Sequence, residues 1–258
     1  MISNKLWVAL PVYNEWPAAK DLIDDLFSTL ETDFENFELV ICDDGSTDEG
    51  KEYFNSLKFI DKVHIIQHKY NRGLGESIRD LFEYIIEESD EGDYLIRMDG
   101  DATHNPIYLK KLVNSLSNEY DISIAYRETL NNKDLKLIRK FYSFFAKYFI
   151  RLFFPVPKLN EYTGGFRCYK VDILKKALII YGSHFIQLSS FGFVCTFEKL
   201  IKLSLIGAKF VEVPFVLEYE RKTSESKMVP WITILGYFIL IPAVYWPKTG
   251  WKYKHKVK

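Results

Sequence analysis

The chain has 258 residues, 48% of them hydrophobic, and its 34 Lys and Arg nearly balance its 35 Asp and Glu. That length holds one large α/β domain with a sizeable core. The near-zero net charge excludes nucleic-acid binding through a global field, so local cations must hold any anionic ligand. Cys42, Cys168 and Cys195 lie far apart, which excludes a disulfide frame or a zinc site and reads as buried thiols in a reducing compartment.

The elements follow in chain order. Leu6–Val12 is a short apolar run, not a secretion signal, and it ends in Tyr13-Asn14-Glu15. A helical pattern follows through Leu22, Ile23, Leu26, Phe27 and Leu30. Phe37–Cys42 is a second run, ending in Asp43-Asp44-Gly45-Ser46-Thr47-Asp48, where Ser46 or Thr47 is expected to cap the next helix. Val63–Ile66 is a third, leading into Asn71-Arg72-Gly73-Leu74-Gly75 and a helix through Ile78, Leu81, Phe82, Ile85 and Ile86. Tyr94–Met98 is a fourth, ending in Asp99-Gly100-Asp101, and His104-Asn105-Pro106 then opens a helix.

Short apolar strands alternating with amphipathic helices predict a mostly parallel sheet covered on both faces. Polar residues directly after each strand converge on one edge of that sheet, where open α/β folds bind ligands. Glu15, Asp43, Asp99 and Asp101 are thereby expected around one crevice.

The second half is less regular. Arg139–Phe154 patterns as a helix, aromatic on one side and basic on the other, suited either to a membrane interface or to packing on the sheet. A Gly-rich segment, Thr163-Gly164-Gly165-Phe166-Arg167, precedes helices near Val171–Ile180 and Val194–Leu205. Lys209–Tyr219 reads as a strand, followed by a polar loop. Met228–Pro247 carries no charge, and Pro230, Gly236 and Pro242 are expected to interrupt or weaken a helix there. A single span, a re-entrant hairpin and a surface-lying segment all remain open, with peripheral attachment favoured. The tail Lys248, Lys252, Lys254, Lys256 and Lys258, with Trp246 and Trp251, suits an anionic headgroup region. The expected division is a domain over 1–227 and a membrane-associating segment over 228–258.

Two carboxylates one residue apart at a strand end, Asp99 and Asp101, can share a hard divalent cation, Mg²⁺ or Mn²⁺, which would neutralise a diphosphate leaving group. The motifs Pro11-Val12-Tyr13-Asn14-Glu15, Asp43-Asp44-Gly45-Ser46, Asn71-Arg72-Gly73-Leu74-Gly75 and Asp99-Gly100-Asp101 resemble, in order and spacing, the family 2 glycosyltransferases of GT-A (Rossmann-like) fold. Thr163–Arg167, Val211-Glu212-Val213-Pro214-Phe215 and the Arg221–Lys227 loop narrow the similarity to dolichyl-phosphate mannose synthases and related polyprenyl-phosphate glycosyltransferases.

That resemblance implies that Pro11, Tyr13, Glu15, Ile41 and Asp43 hold the nucleoside of a nucleotide-sugar donor, of the GDP-mannose or UDP-glucose type. Asp99, Gly100 and Asp101 would bind metal and diphosphate. Arg127, Arg221 and Lys227 would meet the donor phosphates or a polyprenyl-phosphate acceptor, with Arg139 and Arg167 as further cations. Three positions depart from the family pattern: Thr103 replaces a glutamine, Gly164 a serine and Ser224 a glycine. A phosphate acceptor needs no general base, whereas a hydroxyl acceptor does. Glu198 and Glu161 are the candidates for that role, and Glu198 reads as structural. A non-catalytic nucleotide-sugar-binding protein is the remaining alternative. The expected setting is the cytoplasmic face of a membrane, with a membrane-protein partner compatible.

Overall fold

The computed structural model describes residues 2–49, 51–57, 60–127, 147–221, 230–247 and 249–254. Arg139, Lys227 and the rest of the closing loop after Arg221 lie outside them. The chain runs β1 (Leu6–Val12), α1 (Trp16–Asp33), β2 (Phe37–Asp43), α2 (Lys51–Leu57), β3 (Val63–Gln67), α3 (Leu74–Glu88), β4 (Tyr94–Arg97), α4 (Leu109–Asn114) and β5 (Ile122–Arg127). It continues through a helical stretch at 147–153 (α5). Then come β6 (Arg167–Lys170), α6 (Val171–Tyr181), α7 (Val194–Leu205), β7 (Phe210–Phe215), α8 (Pro230–Tyr245) and α9 (Trp251–Lys254).

The seven strands form one sheet in the order β3-β2-β1-β4-β6-β5-β7. All neighbours are parallel except β6, which runs against both β4 and β5. β1 is buried at all seven positions, the pattern of a strand covered on both faces. One core layer packs α1, α4 and Leu57 of α2 against one face; the other packs α3, α6, α7 and α8 against the opposite face. This is the expected mostly parallel, doubly covered α/β architecture. Strand order reverses at β1, which has β2 on one side and β4 on the other. The crevice beyond the carboxyl ends of β1 and β4 is therefore the topological switch point, where such sheets bind ligands.

The structure corrects several expectations. β5 and β6 are strands that apolar runs alone did not mark, because β6 is four residues long and carries Arg167 and Lys170. β7 ends at Phe215, short of Tyr219. It is an edge strand, where Pro214 is tolerated, and beyond it the Glu218 N–H leaves the ladder to bond Thr103 O at 3.2 Å. Pro242 does not interrupt α8 but lies inside it, while Leu240 and Val244 of the same helix are wholly buried. Ser46 and Thr47 do not cap α2, which starts further on at Lys51; both bind Asn14 instead, Ser46 Oγ accepting from its N–H and Thr47 N–H donating to its Oδ1. Of the helix expected over Arg139–Phe154, 147–153 is helical and 139–146 lies outside the described residues.

The three cysteines are free and buried, and burial pushes the Cys42 thiol up to about 12. On α7, Glu198 is wholly buried and accepts the N–H groups of Gln187 and Leu188, each at 2.8 Å, while pairing with buried Lys202 one turn on. Replacing it strands a buried ammonium and two amides. Glu198→Ala is expected to cost about 3–5 kcal/mol in a urea unfolding experiment, and an unchanged midpoint would remove this assignment.

Candidate active site

The ends of β1 and β2 are stitched together before any ligand arrives. Asp44 N–H donates to Val12 O at 2.8 Å, and Asn14, at φ 48°, spans to Ser46 and Thr47. Left-handed backbone is a conformation asparagine tolerates well. The paired aspartates then divide their work. Asp44 accepts the N–H groups of Arg72 and Gly73, each at 2.8 Å, and the His68 ring N–H at 2.6 Å, so it anchors the Asn71–Gly75 turn. Asp43 stays at the end of β2, where its Oδ1 accepts from Ser46 N–H at 3.2 Å and from the Trp16 indole at 3.4 Å. Glu15 and Pro11 are buried beside it and Tyr13 is half-buried, but the Ile41 side chain is wholly within the core.

Asp99-Gly100-Asp101 follows β4 across the switch-point crevice. A side chain at Gly100 would lie 2.8 Å from Pro11 O, so glycine is what lets this loop close on the end of β1. Ala102 takes φ 59°, turning the chain so that Thr103 N–H and hydroxyl both reach Asp101 Oδ1, at 3.3 and 2.7 Å. Asp99 is gripped from behind. Its Oδ1 accepts from the Arg97 guanidinium, and its backbone N–H donates to His104 Nδ1 at 3.2 Å. Burial holds the His104 ring below its ordinary pKa, against the pull of Asp99 and Asp101. The neutral ring therefore carries its proton on Nε2, the atom 3.8 Å from Asp99 Oδ2. Phe166 stacks on that ring at 4.8 Å.

The donor set fits a hard cation. Both carboxylates offer oxygen only, and a guanidinium already stands against one of them as a positive charge. Among the described residues no three His, Cys, Asp or Glu side chains form a metal cage. Two carboxylates completed by substrate phosphates is the usual arrangement for Mg²⁺.

The sequence-predicted cations are dispersed. Arg127 is exposed at the end of β5, in the electrostatic neighbourhood of Glu161. Arg221 pairs with Asp25 of α1 and, at 3.5 Å, with Glu218. Glu218 accepts from Asn105 at 2.7 Å, which ties this segment to the Asp99–Asp101 loop. Arg167 is buried and donates to the carbonyls of Tyr162 and Thr196, at 2.7 and 3.2 Å, a structural role.

Neither candidate base is poised as one. Glu198 is committed to two amides and Lys202. For Glu161, burial alone would raise the carboxyl pKa, but Thr163 and Gly164 N–H groups, the Thr163 hydroxyl and the Arg127 charge hold it below the ordinary value. Sequence reasoning missed Trp16, Arg97 and His104. An arginine inside an otherwise apolar strand, two residues before the acidic pair, was the available signal for Arg97.

A family model described as Glycosyl transferase family 2 matches residues 7–178. A dolichol-phosphate mannosyltransferase of Pyrococcus furiosus is 28% identical over 229 residues, covering 87% of this chain and 59% of that protein. An undecaprenyl-phosphate mannosyltransferase of Micrococcus luteus is 26% identical and covers 85% of each chain. A dodecaprenyl-phosphate galacturonate synthase of Rhizobium johnstonii is 25% identical over 70% of this chain, which spans 52% of its length. Glucosyl-3-phosphoglycerate synthase from Mycobacterium tuberculosis, solved with Mn²⁺, uridine diphosphate and phosphoglyceric acid, shares the fold at a TM-score of 0.60 and 13% identity, over 93% of this chain and 76% of that one. With a crevice at the β1–β4 switch point, an Asp-Gly-Asp loop beside it and a family match over most of its length, this chain belongs to glycosyl transferase family 2.

Proposed function

We propose that this protein transfers a hexose, with inversion, from a nucleotide-diphosphate sugar to a polyprenyl phosphate with the help of Mg²⁺ or Mn²⁺. The observation that carries this reading is that Glu161 and Glu198, the two carboxylates a hydroxyl acceptor would call on, are both engaged by backbone amides. An ionised phosphate oxygen attacks the anomeric carbon without a base, so its enzyme supplies position and positive charge instead. The names of the P. furiosus, M. luteus and R. johnstonii relatives support the same acceptor class.

In this scheme Pro11, Tyr13, Glu15 and Asp43 hold the nucleoside, with the Trp16 indole orienting Asp43. Asp99 and Asp101 hold the divalent cation, which when bound neutralises the departing diphosphate. Arg127, Arg221 and Lys227 are the cations proposed to meet the phosphates. Arg221 is available for this, because its pairs with exposed Asp25 and half-buried Glu218 remain open to solvent, and surface pairs are worth at most about 1 kcal/mol.

The acceptor also implies a membrane surface. Among the described residues no helix is long and apolar enough to cross a membrane. α8 nonetheless exposes Trp231 (80%), Leu235 (55%) and Phe238 (57%), and Phe238 meets Phe149 of α5 at 5.6 Å. Tyr148 and Leu152 of α5 are exposed as well. The two helices are proposed to lie in the plane of the cytoplasmic headgroup region, with 228–258 as the attaching segment of the 1–227 domain.

Sugar transfer to a short-chain polyprenyl phosphate, tested across labelled GDP- and UDP-sugars with Mg²⁺ or Mn²⁺, is expected to give product that EDTA abolishes. Asp101→Ala is expected to lower the rate by at least about a hundredfold with its melting temperature nearly unchanged. Tight metal-dependent nucleotide binding without product from any donor would refute the phosphate acceptor. In co-sedimentation with anionic vesicles, Trp231→Ser with Leu235→Ser is expected to lose most binding; equal binding would remove the α8 docking face.

A further inference from the structure

Behind the Asp-Gly-Asp loop lies a concentration of buried positive charge. Arg97 on β4 is 1% exposed and sits directly across from Arg167 of antiparallel β6. Like charges opposed across a sheet repel. Lys199 of α7 is wholly buried nearby, its Nζ 3.8 Å from the Phe82 ring centroid. Burial, with the charges of Arg97 and Arg167 adding to it, drives the Lys199 amine well below its ordinary pKa. Among the described residues, five buried polar atoms here find no hydrogen-bond partner: Nε of Arg97, Nε of Arg167, Nζ of Lys199, the Tyr169 hydroxyl and the Thr196 hydroxyl. The buried acid on α7, Glu198, pairs with Lys202.

Among the described residues, the carboxylate that the Arg97 guanidinium pairs with is Asp99. The chain makes room for that guanidinium: a Cβ on Gly165 would fall 1.2 Å from Nη1 of Arg97. A buried guanidinium facing other cations is strongly destabilising without an anion, so Arg97 is driven toward Asp99. The same carboxylate is half of the divalent-cation pair proposed above, and it cannot give all its charge to both.

We infer that Arg97 is a built-in counter-cation of Asp99, a positioning residue that competes with the divalent ion for that carboxylate and keeps the ion weakly held until a diphosphate supplies further oxygens. The inference rests on the metal-assisted reading of the site. It makes ion and donor binding mutually reinforcing: the nucleotide brings the negative charge that Asp99 alone, partly neutralised by Arg97, does not provide. Arg97 itself touches no substrate.

The test is Mn²⁺ binding by electron paramagnetic resonance on the full chain, with and without GDP or UDP, in wild type, Arg97→Gln and Arg97→Lys. Arg97→Gln is expected to tighten Mn²⁺ roughly tenfold without nucleotide, since a fixed charge close to the ion is removed, and to shrink the gain that nucleotide gives. Arg97→Lys, which keeps the charge, is expected to stay near wild type. A wild-type measurement stands beside these in case the buried substitutions unfold the chain: the guanidinium nitrogen resonance of Arg97 is expected to shift when Mg²⁺ and GDP or UDP are added. Unchanged or weaker Mn²⁺ binding in folded Arg97→Gln, or an Arg97 resonance that ignores Mg²⁺ and nucleotide at saturation, overturns the competition while leaving the metal site standing. Absence of Mn²⁺ binding in the wild type with either nucleotide overturns the metal site and this inference together.

Discussion

The approach of Gly100 to the Pro11 carbonyl is the contact from which the site is built. β1 and β4 are parallel neighbours, so their carboxyl ends emerge side by side, and the loop after β4 must cross the end of β1. A Cβ at residue 100 would meet the Pro11 carbonyl at 2.8 Å, and any side chain there would push the two acidic positions away from the crevice. With glycine in place, Ala102 can take its left-handed turn and Thr103 can orient Asp101. The segment after β7 closes the other side, through Glu218 to Thr103 and Asn105. Each of these interactions is modest, and each presupposes the one before it.

The doublet Asp43-Asp44 shows how much chemistry one motif can hide. The acidic pair resembles a single binding feature, yet the two carboxylates do different work. Asp44 is spent on backbone amides and His68, fixing a turn that approaches the crevice from β3. Asp43 is held by Trp16 and Ser46 at the end of β2. Glu161 and Glu198 follow the Asp44 pattern: Oε1 of Glu161 and both oxygens of Glu198 accept main-chain amides. Composition near a site is thus a poor guide to which carboxylates remain available for chemistry.

What could be read from the residues follows from how each element is buried. β1 and α7 were legible to the residue because β1 is covered on both faces and α7 carries a sustained 3.6-residue pattern. Asp99 and Asp101 were legible because acid and glycine directly after an apolar strand have few structural uses. β5 and β6 were not, since β6 owes its place to pairing on both sides and not to apolar composition. Arg97 was hidden for a related reason. Its burial depends on Arg167, Gly165 and Lys199, which lie 68 to 102 residues further along the chain, and no local pattern reports such a neighbourhood.

The reversed strand β6 also dictates an order of assembly. It lies between β4 and β5 although both precede it in sequence. During synthesis the sheet therefore remains split at that seam until residue 170 has left the ribosome, and the long-range pairing that closes it is entropically slow. Until then Arg97 is hydrated, with no opposing Arg167 and no Lys199 to press it toward Asp99. The end of the sheet made by β1, β2 and β3, stitched by Asn14 and Asp44, needs none of this. Nascent chains of intermediate length should accordingly complete the β1–β2–β3 end of the sheet, with Asp43 and Asp44 held in place, before the Asp99–Asp101 loop gains the clasp of Glu218 and the buried Arg97–Arg167 pair behind it.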